Sequence, residues 1–204
     1  MFTIFIFIAL GYLLGSFPSA AVLAKLFHKD IFTTGSGNMG SMNTLRNVGI
    51  VPGLLVFVLD VGKGALATFL ALWLTTLAYG EASLIAALAA LIGAVLGHAY
   101  SIYVRFKGGK ALAVTFGTTL PLFPMVGIYA LLLLIALLLI TKRVELSSIL
   151  TVIAIPVLMW FTLQKLGAHD DVVFLSTTAA IIIVPIMLSR YWLAARAVKA
   201  QPSE

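Results

Sequence analysis

Apolar stretches long enough to cross a bilayer recur along this chain, with only short polar segments between them. A transmembrane helix needs about 20 apolar residues, and segments 2–24, 52–77, 82–97, 148–163 and 172–188 approach or exceed that length. Lipid offers no partner for a free backbone N–H or C=O, so an open sheet or irregular chain cannot fill such segments. The predicted fold is therefore an all-α polytopic membrane protein, with residues 1–204 forming one membrane-embedded domain. Composition agrees: 62% of residues are hydrophobic and 10% charged, against about 25% charged in a soluble domain. The first apolar run has no basic residues ahead of it and reads as a retained anchor, not a cleaved leader.

Residues 111–140 are apolar throughout but carry Pro121 and Pro124, which do not fit the interior of one straight helix. They read as a short limb, a proline turn and a full span, making about seven transmembrane helices in all. With the N-terminus outside, Lys25, Lys29, Arg46, Arg105, Lys107, Lys110, Lys142, Arg143, Arg190, Arg196 and Lys199 face the cytoplasm and Lys165 faces out. That asymmetry is the positive-inside signal of a multi-pass cell-membrane protein.

Two polar stretches, both on the predicted cytoplasmic side, break the apolar pattern. Gly35-Ser36-Gly37-Asn38-Met39-Gly40-Ser41-Met42-Asn43-Thr44-Leu45-Arg46 places glycines beside hydroxyl and amide donors and one guanidinium. Glycines let backbone N–H groups approach an anion, and arginine offers a planar fork for phosphate. The second stretch joins Gly97-His98 to Phe106-Lys107-Gly108-Gly109-Lys110 just ahead of an apolar helix. Its ammonium groups and first-turn amides can converge on one oxyanion. The plain alternative is two surface turns with topological anchors; two such loops on one face argue for a site that handles anions. The net charge of +6 suits anionic lipids or substrates. There is no cysteine, and His28, His98 and His169 are scattered, so no metal site and no nucleic-acid partner is predicted.

These stretches carry a resemblance. Gly35-Ser36-Gly37-Asn38-x-Gly40-x-x-Asn43-x-x-Arg46 is similar to the first signature of the bacterial integral-membrane, acyl-phosphate-dependent glycerol-3-phosphate acyltransferases. Leu96-Gly97-His98 with Phe106-Lys107-Gly108-Gly109-Lys110 resembles the second, and Leu13-Leu14-Gly15-Ser16 and Val56-Phe57-Val58-Leu59-Asp60-x-x-Lys63-Gly64 also fit, in order. The resemblance implies seven spans, an active site at the cytoplasmic face and no cofactor. It further implies acyl transfer from a fatty acyl phosphate to the 1-hydroxyl of glycerol 3-phosphate, giving lysophosphatidic acid and phosphate, the first acylation of phospholipid synthesis. A monomer among membrane lipids is expected. Ser36, Arg46 and His98 match catalytic positions, and Gly35, Gly37, Asn38, Gly40, Asn43, Lys107, Gly108, Gly109, Lys110 and Ser148 match substrate-binding ones.

The chain departs from that pattern in places. Ser41-Met42-Asn43 replaces the usual Ala-Thr-Asn, Ser101 replaces a proline, and Glu145 replaces a serine ahead of Ser148. The basic tail signature with its histidine and asparagine is absent, and Ser189-Arg190-Tyr191-Trp192-Leu193-Ala194-Ala195-Arg196 stands in its place. Arg190, at the membrane boundary, is the expected substitute donor for the acceptor phosphate. Two other functions fit the same loops: a transporter or flippase for an anionic lipid or phosphorylated solute, and an inactive paralogue. Asp60 and Lys63, three residues apart within a span, read as a structural ion pair. Gly11, Gly15, Gly93 and Gly97 read as sites of close helix packing.

Overall fold

A computed structural model describes residues 2–199, with side chains through Arg196, so the side chain of Lys199 lies outside the described ones. The elements are α1 (Phe2–Ser16), α2 (Ser19–Leu26), α3 (Ser41–Asn47), α4 (Ile50–Tyr79), α5 (Leu84–Ala99), α6 (Leu112–Thr119), α7 (Pro124–Thr141), α8 (Val144–Lys165) and α9 (Asp170–Lys199). Pro18 breaks the first span into α1 and α2. Six stretches are long and apolar enough to cross a membrane: Phe2–Leu26, Ile50–Tyr79, Leu84–Val104, Pro124–Thr141, Val144–Lys165 and Asp170–Arg196.

The seventh segment is α6. Its 8 residues rise only about 12 Å at 1.5 Å per residue, so α6 reaches the far side only with the help of residues 120–123. Phe123 at the end of that turn packs against a cluster that includes Leu163 and Val173, at the far ends of α8 and α9. The chain then returns along α7, because Lys110 at the near end of α6 bonds Glu145 at the start of α8, 2.6 Å away. Arg190, late in α9, bonds the Gly108 carbonyl oxygen, which brings the end of the bundle back to that same face. Both glycine-rich loops, the turn between α7 and α8 and the end of α9 therefore share one side, the order expected of seven passes.

Between apolar helices in lipid there is no hydrophobic drive to associate, so close backbone packing does the work. The α1–α5 pair shows this in reciprocal form. A Cβ at Gly11 or Gly15 would lie 2.1 Å from Ala90 O or Ala94 O, and one at Gly93 or Gly97 would lie 2.2 or 2.1 Å from Ile8 O or Tyr12 O. The spacings read from the sequence are thus a two-sided helix seam. Gly64 of α4 and Gly117 of α6 repeat the device, with Cβ positions 2.3 Å from Val114 O and 2.0 Å from Val61 O. As a result α5 is the hub, with 72% of its apolar window buried, whereas α7 is the lipid-facing helix at 11%.

Candidate active site

The first polar loop is shaped by Asn43. Its Nδ2 donates to Thr34 O and Asn38 O, both at 3.0 Å, and its Oδ1 accepts from Ser36 N at 3.1 Å and Asn47 Nδ2 at 3.0 Å. The turn closes around that amide because Gly35 (φ +59°) and Gly37 (φ +64°) adopt left-handed backbone that other residues rarely take. Met39 plugs the loop into a core of Ala20, Ala24, Ile31 and Val56. With the loop held from inside, Ser36 and Arg46 are left exposed.

The second loop meets the first through its glycines. A Cβ at Gly108 would lie 2.0 Å from His98 O, and one at Gly109 would lie 2.4 Å from both His98 Nε2 and Met39 O. Gly109 N donates to His98 O at 3.0 Å, so that amide is already committed. The sequence suggested that these glycines cradle an anion; their observed position is a wedge between the end of α5 and the first loop. From the other side, Arg190 Nη2 donates to Gly108 O at 2.6 Å, and its guanidinium lies 5.4 Å from the Tyr100 ring centre. Tyr100 and Ser189 share a 2.5 Å hydroxyl contact. The Lys110 ammonium lies 4.5 Å from the centre of the Tyr191 ring.

A cavity of about 430 Å³ opens where these pieces converge. Of the residues singled out from the sequence, Ser36, Asn38, Gly40, Asn43, Arg46, His98, Lys110 and Ser148 line it. Gly35, Gly37, Lys107, Gly108, Gly109 and Arg190 are not in its wall. Lys107 is exposed beside it, while Arg190 acts on Gly108. Ser41, counted among the donors of the first loop, lines it too, whereas Asn47, Glu145 and Tyr191 were not expected in the polar wall and Asp60 was read first as half of a structural ion pair. Asp60 does form the expected pair with Lys63, at 2.8 Å, yet it also faces the cavity. Away from the polar end the wall turns apolar, with Phe116, Leu131, Leu134, Leu138 and Ile155 of α6, α7 and α8. The space is amphipathic: Arg46, Lys110, Asp60 and Glu145 bring both signs of charge, beside hydroxyls and amides, to a wall that is otherwise mostly apolar. Among the described residues, no group of three or more His, Asp or Glu side chains is placed to hold a metal ion.

A family model described as Glycerol-3-phosphate acyltransferase matches residues 5–195, nearly the whole chain. The chain belongs to this family. A Glycerol-3-phosphate acyltransferase of Staphylococcus saprophyticus is 41% identical over 150 residues, covering 72% of this chain and 74% of its own. One of Prochlorococcus marinus is 39% identical over 175 residues, 85% of each chain. Among solved structures, PlsY, an integral membrane glycerol 3-phosphate acyltransferase in its glycerol 3-phosphate form, superposes with a TM-score of 0.76 at 29% identity, covering 96% of this chain and 91% of that one. The lysophosphatidic acid form of PlsY gives 0.74 at 28% identity, over 98% and 94%.

Within this acyltransferase family member, α9 braces the second loop through Arg190. Arg190→Ala is expected to raise the apparent KM for glycerol 3-phosphate severalfold by freeing Gly108 and, through it, Lys110. Arg196, whose guanidinium lies 3.7 Å from the Trp192 ring centre, touches neither loop, and Arg196→Ala should leave kinetics unchanged. Steady-state rates at varied glycerol 3-phosphate distinguish the two; equal, wild-type KM values would remove the brace from the account.

Proposed function

We propose that this acyltransferase moves a fatty acyl group from acyl phosphate to the 1-hydroxyl of glycerol 3-phosphate, releasing lysophosphatidic acid and inorganic phosphate at the cytoplasmic face. The observation that carries the reading is the amphipathic cavity, whose polar wall with the unpaired Arg46 and whose apolar lining suit the phosphate head and the acyl tail of that product. The cytoplasmic assignment rests on the cation asymmetry between the two faces.

An acyl phosphate is a mixed anhydride and already activated, so the site needs no covalent intermediate. Its tasks are to bring two anionic substrates together and to offset their repulsion. Arg46 makes no ion pair among the described side chains and is free to take a phosphate bidentately. Lys110, Ser36 and Ser41 stand around the same space as further donors. The acyl chain lies along α7 and α8, which presents the carbonyl carbon at the polar end. The acceptor oxygen forms the new C–O bond as the anhydride C–O bond breaks. The electron pair of the broken bond leaves on phosphate, and the hydroxyl proton ends there too, giving hydrogen phosphate. His98, in the cavity wall, is proposed to orient the acceptor in this step.

Purified protein in detergent, given acyl phosphate and labelled glycerol 3-phosphate, should form labelled lysophosphatidic acid and phosphate in equal amounts. Turnover with an acyl thioester but not with acyl phosphate would overturn the donor. No turnover with either would leave the cavity a binding site of a non-enzymatic protein.

A further inference from the structure

Lys110 stands between two partners of unequal mobility. Its ammonium lies 4.5 Å from the centre of the Tyr191 ring on α9, and Tyr191 is only 8% exposed, so that partner is fixed by packing. On the other side Lys110 Nζ donates to Glu145 Oε1, in the first turn of α8, at 2.6 Å. The Lys110 side chain is 18% exposed, but that of Glu145 is 72% exposed, so its carboxylate reaches in from water. All three residues line the cavity. A carboxylate is a poor neighbour for phosphates, because like charges at contact distance repel. Yet its oxygen makes the short charge-assisted contact with Lys110 that a phosphate oxygen would make. Arg46, the other basic residue in the wall, makes no ion pair among the described side chains. One wall cation is therefore open and the other is occupied.

We infer that Glu145 holds the place of a substrate phosphate on Lys110 and yields it to the phosphate of glycerol 3-phosphate, an assignment that rests on the function proposed above. Glycerol 3-phosphate has no apolar anchor and arrives from water, the side from which Glu145 reaches in. Its phosphate carries more charge than one carboxylate and outcompetes it for the ammonium. The displaced Glu145 swings back into water at little cost, and its place at the start of α8 remains favourable for an acidic side chain. Lys110 does not follow, because the Tyr191 ring still holds it from the other side. Glu145 thus sets how tightly the acceptor binds without touching the reacting atoms, and an anion too weak to displace it is kept off Lys110.

The test is Glu145→Gln, which keeps the shape and removes the charge. Calorimetric titration of the solubilised full chain with glycerol 3-phosphate reads binding without requiring turnover. The variant should bind about fivefold more tightly than the unsubstituted protein, the upper scale of an ion pair with one exposed partner. Its KM for glycerol 3-phosphate should fall in step, and that for acyl phosphate should stay. Lys110→Met should bind the ligand more weakly, and adding Glu145→Gln to it should change affinity by less than about twofold, the coupling expected of residues in contact. Weaker binding by Glu145→Gln would mean that the carboxylate positions Lys110 for the ligand, and unchanged binding that the bridge is idle; either overturns the inference. Equal tightening with and without Lys110 would reduce it to diffuse repulsion and overturns it too. A KM that falls for acyl phosphate alone moves the exchange to the donor and overturns the choice of glycerol 3-phosphate. Acyl transfer measured alongside separates the two ideas. Turnover without tightening keeps the proposed reaction and rejects the exchange, tightening without turnover does the reverse, and no binding by either protein rejects both.

Discussion

Arg46→Lys is expected to lower kcat/KM for glycerol 3-phosphate by about 10-fold to 100-fold, the scale of losing an oriented hydrogen bond between charged groups. The reason is geometric. Arg46 sits on α3 one turn beyond Asn43, whose four bonds to Thr34, Ser36, Asn38 and Asn47 set where the helix starts and where it points. A lysine keeps the charge but loses the planar fork. Arg46 is exposed and makes no ion pair among the described side chains, so thermal stability should hardly change. Steady-state kinetics beside a melting curve test both halves. Near-normal turnover would remove Arg46 from the phosphate site, and a large fall in melting temperature would mean that its role is structural.

The second large effect is on assembly. Gly15→Leu should abolish the folded protein, because a Cβ there would lie 2.1 Å from Ala94 O and 2.7 Å from Ala94 Cα, and backbone cannot yield as a side-chain end can. Separating α1 from α5 also breaks the bonds from Ser16 Oγ to Gly97 O and from Ser101 Oγ to Ser16 O. The cost should exceed the 1–3 kcal/mol or so of ordinary overpacking. Gly62→Ala is the matched control, since a Cβ at Gly62 meets nothing within 4 Å and alanine favours helix. Size-exclusion profiles of the two variants should separate cleanly. A monodisperse Gly15→Leu protein with wild-type melting would mean that the seam does not hold the bundle together.

The membrane spans were legible in the sequence because the requirement behind them is local: lipid forces each crossing segment to be apolar, long and internally hydrogen-bonded. The first loop was legible for a similar reason, since Ser36, Asn38, Asn43 and Arg46 lie within a few residues of one another and the glycines among them close the turn. Residues distant in sequence depended on packing. Asp60 and Lys63 looked like a simple ion pair until α4 was seen to bring Asp60 beside His98 on the cavity wall. Arg190 looked like a ligand for phosphate, and in the fold its guanidinium donates to the carbonyl oxygen of Gly108. Gly108 and Gly109 have the composition of an anion cradle, and the fold adds a wedge between the end of α5 and the first loop, because what a missing Cβ makes room for is set by whichever backbone comes close. The sequence by itself determined an all-helical membrane bundle with polar, glycine-rich loops on one face, since hydropathy and turn chemistry act over short stretches of chain. Only the tertiary structure decided which side chains face the cavity and which brace it, because that depends on how close α1, α4, α5 and α9 approach one another.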